Sequence, residues 1–170
     1  MKVIKQSTYE TCLASCLLMM AGKIKKDEIE IWKRGWKFNY LIGQLNYVSK
    51  KYNKKIEAYV ENKYYFNQLQ KQRGKGIKLV NKKIDVQLLS SLLESGEVII
   101  YLDCYYFQKI LHAPHFMVAL RQNKNFIEII DPFDGKLKKI SVSTIKKGIN
   151  SLRNHLKYSP VLITFPLSQE

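Results

Sequence analysis

The sequence is poor in cysteine, in acidic residues and in long apolar runs, and each shortage closes off a class of protein. Three cysteines among 170 residues, Cys12, Cys16 and Cys104, are too few and odd in number for the disulfide framework of a small secreted domain. Free thiols in a reducing compartment fit better, so a soluble cytoplasmic protein is expected. No run reaches the ~18 apolar residues of a membrane span. The first 22 residues imitate an export signal, because Lys2 and Lys5 precede CLASCLLMMAG and LASC looks like a lipoprotein cleavage box. The order is wrong for a signal: QSTYET separates charge from apolar stretch, and that stretch continues beyond Cys16. An internal repeat and a low-complexity linker are also missing, and residues 1–170 are expected to form a single domain.

Only 14 acidic residues face 29 basic ones, a formal charge of +15, so a polyanion must be considered as a partner. The lysines come in small groups dispersed along the chain, such as Lys50, Lys51, Lys54 and Lys55. With Tyr52, Tyr64 and Tyr65 nearby, some could form a stacking face for single-stranded nucleic acid. No recognised nucleic-acid motif accompanies them, and the reading adopted is a solvated lysine-rich surface. What the chain does have is the material of a globular core, 46% hydrophobic and 12% aromatic residues.

Thr11 is placed to N-cap an apolar helix from Cys12 to about Met20 that stops near Gly22. Helical periodicity follows around Asp27 to Lys33 and Tyr40 to Lys50. KIEAYVE alternates like a strand, KYYFNQLQKQ suits a short helix, GIKLV another strand, and DVQLLSSLLESG a helix capped by Asp85 and ended by Gly96. Beyond Gly96 the pattern turns to strands: EVIIYLDCYYF, HFMVALRQ, NFIEIID, KLKKISV and PVLITF, interrupted by a helix near Ser143 to Leu152. Helices first and strands second predict an α+β fold, N-terminal helices packed on a mainly antiparallel C-terminal sheet.

Four residues have the chemistry of a nucleophilic site. Cys12 opens the buried helix, where unpaired N–H groups and the positive end of the macrodipole favour a thiolate. His115 begins the strand HFMVAL and can serve as a base, with Phe116, Val118 and Leu120 expected to alternate between core and surface. Asp131 closes FIEII before a turn through Pro132, Asp134 and Gly135; a hairpin would bring it beside His115, where a carboxylate orients and charges an imidazole. Gln6, six residues before Cys12, carries an amide that can help to stabilise an oxyanion. Each has a plainer reading as core cysteine, turn former or surface glutamine.

As a set, QSTYETCLASCLLMMAG, HFMVAL and IIDPFDGKLKKIS resemble the bacteriocin-processing, double-glycine leader peptidases, cysteine peptidase family thirty-nine. The resemblance implies a papain-like fold with Cys12 as nucleophile, His115 as base, Asp131 as orienting acid and Gln6 as oxyanion donor. It implies no cofactor and no metal. The implied partner is a leader peptide cut after a Gly-Gly pair, with export machinery as a separate component, since neither a transmembrane segment nor a G-x-x-x-x-G-K-[ST] phosphate loop is present. Leu13 stands where the family commonly has glycine, and a side chain there is expected to narrow the approach of substrate. Thr11 stands where an acidic or similar polar residue is usual. Three alternatives compete: a non-catalytic peptide-binding module of the same fold, a basic nucleic-acid-binding protein, and a zinc site built from Cys12, Cys16, His112 and His115.

Overall fold

The computed structural model describes residues 1–37 and 39–166. Helix α1 (Cys12–Met20) follows the apolar run, and every residue from Cys12 to Met19 is buried. It stops where expected: Gly22 takes φ +66°, and its N–H and that of Lys23 return to the Met19 and Leu18 carbonyls, a left-handed cap that glycine adopts without strain. At the other end Thr11 occupies the N-cap position but does not cap. Its hydroxyl is consumed by the turn before the helix, donating to the Thr8 carbonyl and accepting the Thr8 N–H, both at 3.1 Å.

Among the described residues seven strands make one sheet in the order β2-β1-β7-β3-β4-β5-β6. They are β1 (Ile56–Val60), β2 (Ile77–Asn81), β3 (Val98–Asp103), β4 (Pro114–Asn123), β5 (Phe126–Asp131), β6 (Lys136–Ser141) and β7 (Val161–Thr164). β1 and β2 are parallel and the other pairs are antiparallel, so the sheet is mainly antiparallel as expected. The separation of helices from strands is less complete than the sequence suggests. The C-terminal strand β7 inserts between β1 and β3 and draws two early strands into the sheet.

Both faces of the sheet are covered, which explains why its central strands read as continuous apolar runs. One face packs Ile99, Phe116, Val118, Ile130 and Ile163 under α1, α2 (Glu28–Lys37), α3 (Tyr40–Tyr52) and α4 (Lys63–Gln70). The opposite face packs Ile100, Met117, Ala119, Ile129 and Leu162 under α5 (Val86–Leu93) and α7 (Val142–Asn154). The expected core and surface alternation along HFMVAL is therefore an alternation between two cores. The strand expected over EVIIYLDCYYF also ends early. Asp103 Oδ1 accepts the Tyr105 N–H at 3.0 Å, which turns the chain into the short helix α6 (Tyr105–Gln108) and puts Cys104 at its N-cap position instead of inside the sheet.

Helices α2 and α3 form the platform beside α1, and they cross at a glycine. A Cβ on Gly43 would collide with the backbone carbonyl of Arg34 and crowd the Gly35 Cα, and backbone cannot step aside as a side chain can. Gly43→Ala is expected to destabilise the fold by about 1–3 kcal/mol, read as a lower denaturant midpoint at unchanged m-value.

Candidate active site

The β4–β5 hairpin delivers His115 and Asp131 to the same end of the sheet. His115 is the second residue of β4 and Asp131 the last of β5, and His115 Nε2 meets Asp131 Oδ1 at 2.7 Å. Both are buried, at 6% and 0% exposure. Asp131 cannot swing, because the Phe133 N–H donates to Oδ1 at 2.9 Å while Lys138 Nζ and Gln108 Nε2 hold Oδ2 at 2.6 and 3.3 Å. Burial alone would raise its carboxyl, but the His115, Lys138 and Phe133 contacts hold it well below the usual carboxylate range. Nε2 therefore donates to an ionised partner.

Nδ1 is then the ring nitrogen left for Cys12. Burial disfavours the imidazolium, yet the hydrogen bonds to Asp131 and to the Cys12 thiol outweigh it and push His115 up to about 9. Cys12 begins α1, so its thiol lies where the first-turn N–H groups concentrate positive potential. Because Thr11 does not cap, its hydroxyl does not compete for those N–H groups. The other thiols differ. Burial, followed by the charges of Cys12 and Asp131, raises Cys16 well above the ordinary value, and burial with the Asp103 charge pushes Cys104 up to about 11.

Leu13 corrects an expectation. Its side chain is fully buried in the helix-side core, so it does not stand in the approach to Cys12. On the helix side of the sheet a cavity of about 460 Å³ is walled by Tyr40, Tyr65, Tyr101, Phe116 and Tyr158. Burial first, and then the charge of Cys12, raises the hydroxyls of Tyr40 and Tyr101. Cys12 itself is only 6% exposed.

The Gln6 segment is tied to the same corner. Its backbone N–H donates to the Pro132 carbonyl at 2.7 Å, so the chain before Cys12 is fastened to the turn after Asp131. The Gln6 side chain is buried; one amide N–H is taken by the Thr8 carbonyl at 2.8 Å, and Oε1 has no partner among the described residues. Sequence reading missed what anchors this segment. Glu28, 1% exposed, accepts the Ser7 N–H and hydroxyl at 2.8 and 2.5 Å and the Ser15 hydroxyl at 2.8 Å. It also missed Gln108 and Lys138 on Asp131. Lys138 carried a signal, since it sits in the strand that a DPFDG turn folds back along β5.

This arrangement can be set beside known structures. A proposed C39-like peptidase from Bacillus anthracis superposes with a TM-score of 0.61 at 13% identity, covering 98% of this chain and 95% of that one. The fold is that of a C39-like peptidase. The expected papain-like α+β architecture is thus the one observed. A double-glycine motif protease from an AMS/PCAT transporter, in complex with its leader peptide, aligns with a TM-score of 0.46 at 15% identity over 97% of this chain and 91% of that one. No protein-family profile matches the sequence, and no curated protein matches it.

The zinc alternative does not assemble. No group of three or more His, Cys, Asp or Glu side chains among the described residues is placed to hold a metal ion. His112 is instead bound through Nδ1 to the buried Asp103 at 2.6 Å, and its ring stacks on Tyr105. Of the three tyrosines of the supposed stacking face, the Tyr52 hydroxyl bonds to Asp27 at 2.6 Å, Tyr65 lines the aromatic cavity and Tyr64 is exposed. The lysines are less dispersed than they look in sequence. Lys50, Lys54, Lys55, Arg73, Lys75 and Lys78 gather around a groove of about 1000 Å³ at the far end of α3 from Tyr40. No helix among the described residues is long and apolar enough to cross a membrane.

Substoichiometric iodoacetamide near pH 6 should label Cys12 before Cys16 and Cys104, and His115→Ala should slow that labelling; peptide mapping reads both. The dyad also bears on stability. Folding raises His115 from 6.5 to about 9, so its contribution is complete below about pH 6.5 and lost as pH rises through 9. The urea midpoint should fall from pH 7 to pH 9 in the native protein and fall less in His115→Gln.

Proposed function

We propose that this chain is a cysteine peptidase, residues 1–170 acting as one papain-like domain, and that Cys12, His115, Asp131 and Gln6 are its working set. The observation that carries the reading is the buried His115–Asp131 hydrogen bond, with Cys12, the first residue of a buried helix, acting on the same imidazole. In this reading the proton shared by Cys12 and His115 rests on the imidazole, which is held charged in the resting site, and the thiolate attacks the scissile carbonyl. His115 then gives that proton to the leaving amine as a thioester acyl-enzyme forms, and water releases the acid. The oxyanion is met by the Cys12 backbone N–H and the remaining amide N–H of Gln6.

A peptide is the proposed substrate, and a leader-type segment with small residues before the cut suits a thiol this enclosed. Residues of the Gly-Gly kind would bring a scissile carbonyl to Cys12, a residue 6% exposed, without a side chain to accommodate. No metal or cofactor takes part in this chemistry. Export machinery would act as a separate partner and the cytoplasm would be the place of action.

Incubation with a peptide library and mass spectrometry of the products tests the proposal. Cleavage should vanish in Cys12→Ala, fall about 10³-fold or more in His115→Ala, and fall about 10²-fold or more in a normally folded Asp131→Asn. His112→Ala should change little. Cleavage that survives Cys12→Ala, or equal losses at His112 and His115, would overturn the assignment, and specific peptide capture without any cleavage would favour the binding module.

A further inference from the structure

Asp131 uses only one of its oxygens on His115. The other, Oδ2, takes the Lys138 ammonium at 2.6 Å and the Gln108 amide at 3.3 Å. Lys138 comes from β6, where it pairs with Ile129, and it has a second carboxylate, Asp134, at 3.0 Å. It is 27% exposed, whereas the Asp131 side chain is wholly buried. The titratable groups around Asp131 are His115 on β4, Cys12 and Cys16 on α1, Cys104 after β3, and Lys138 and Asp134 from the β5–β6 turn and β6. Among these described neighbours Lys138 is the one permanent cation.

Resting on the peptidase reading above, we infer that Lys138 is a positioning residue. It fixes the rotamer of Asp131 and offsets part of the carboxylate charge, so that His115 is oriented without being held too firmly as an imidazolium. The physical need is clear. An imidazole must take a proton from the thiol and later surrender it to the leaving amine, and it works best when neither state is strongly favoured. A buried carboxylate as sole partner would overstabilise the charged state, because Coulomb attraction is strong where water is excluded. Lys138 reduces that attraction through the far oxygen, leaving the His115 hydrogen bond in place. Asp134 works the other way, drawing part of the Lys138 charge to itself.

The two neighbours therefore have opposite expected signs, which a merely structural role would not produce. The titration midpoint of His115, followed by NMR of its ring protons without any substrate, should rise by about one pH unit in Lys138→Met. It should fall in Asp134→Asn and stay near the native value in Lys138→Arg. With a cleaved peptide, Lys138→Met should lower kcat about tenfold at nearly constant KM, and Lys138→Arg should restore most of it. An unchanged midpoint in folded Lys138→Met, or shifts of the same sign in Lys138→Met and Asp134→Asn, would overturn the inference. If Lys138→Met does not fold, the downward shift in Asp134→Asn remains the deciding measurement, and its absence is a refutation. Failure of the peptidase reading looks different: the native protein would cleave nothing while the titrations could still be read.

Discussion

The hydrogen bond between His115 and Asp131 is the constraint around which this corner of the molecule is organised. It joins two buried ionisable groups, an arrangement that costs several kcal/mol of desolvation per ion unless every lone pair and proton finds a partner. The surrounding chain supplies those partners. Phe133 gives a backbone N–H from the turn, Gln108 an amide from the α6 loop, and Lys138 an ammonium from β6. The hairpin, the loop before β4 and the last strand of the sheet are thus tied to one carboxylate, and through it to the imidazole facing Cys12.

A second buried carboxylate organises the other half. Glu28 has no cation beside it in the described structure; it is held ionised, against its burial, by the Ser7 N–H and the hydroxyls of Ser7 and Ser15. Those donors come from the chain on either side of Cys12, so Glu28 sets the path by which the Gln6 segment enters α1. Its own place at the start of α2 adds the favourable field of a helix N-terminus. Between them, Asp131 and Glu28 fasten the first residues of the protein to the Pro132 turn and to the helix pair α2–α3. This explains how a segment with no regular secondary structure of its own, residues 1–10, takes a fixed path into α1.

The electrostatics of the three thiols follow from this geometry more than from composition. Cys16 is one turn beyond Cys12 and fully enclosed, and Cys104 lies against the buried Asp103, so both are disfavoured as thiolates. Cys12 has an imidazole held charged beside it. The chain's large positive charge plays no part in this contrast. It collects instead around the groove at the other end of α3 and on solvated faces.

Much of the fold was legible in the sequence because the deciding contacts are local. Gly22 ends α1 by a backbone conformation that needs no knowledge of the rest of the chain, Asp85 caps α5 through Leu88, three residues away, and strand periodicity marked β4 to β6. Cys12, His115 and Asp131 could be nominated because a helix start, a strand start and a strand end are properties of neighbouring residues. Tertiary structure decided the rest. The Thr11 hydroxyl turns away from α1, Leu13 points into the core, and HFMVAL lies between two cores, because burial depends on what packs above and below, which no short stretch contains. Glu28 meets Ser7 across 21 positions and Gln108 meets Asp131 across 23. Such contacts are set by strand order and helix placement, and the same residue types elsewhere in this lysine-rich chain would be ordinary surface. The sequence alone determined which chemistry was present; the fold determined which groups hold it in position, since a carboxylate buried at 0% exposure must find its donors wherever the chain brings them.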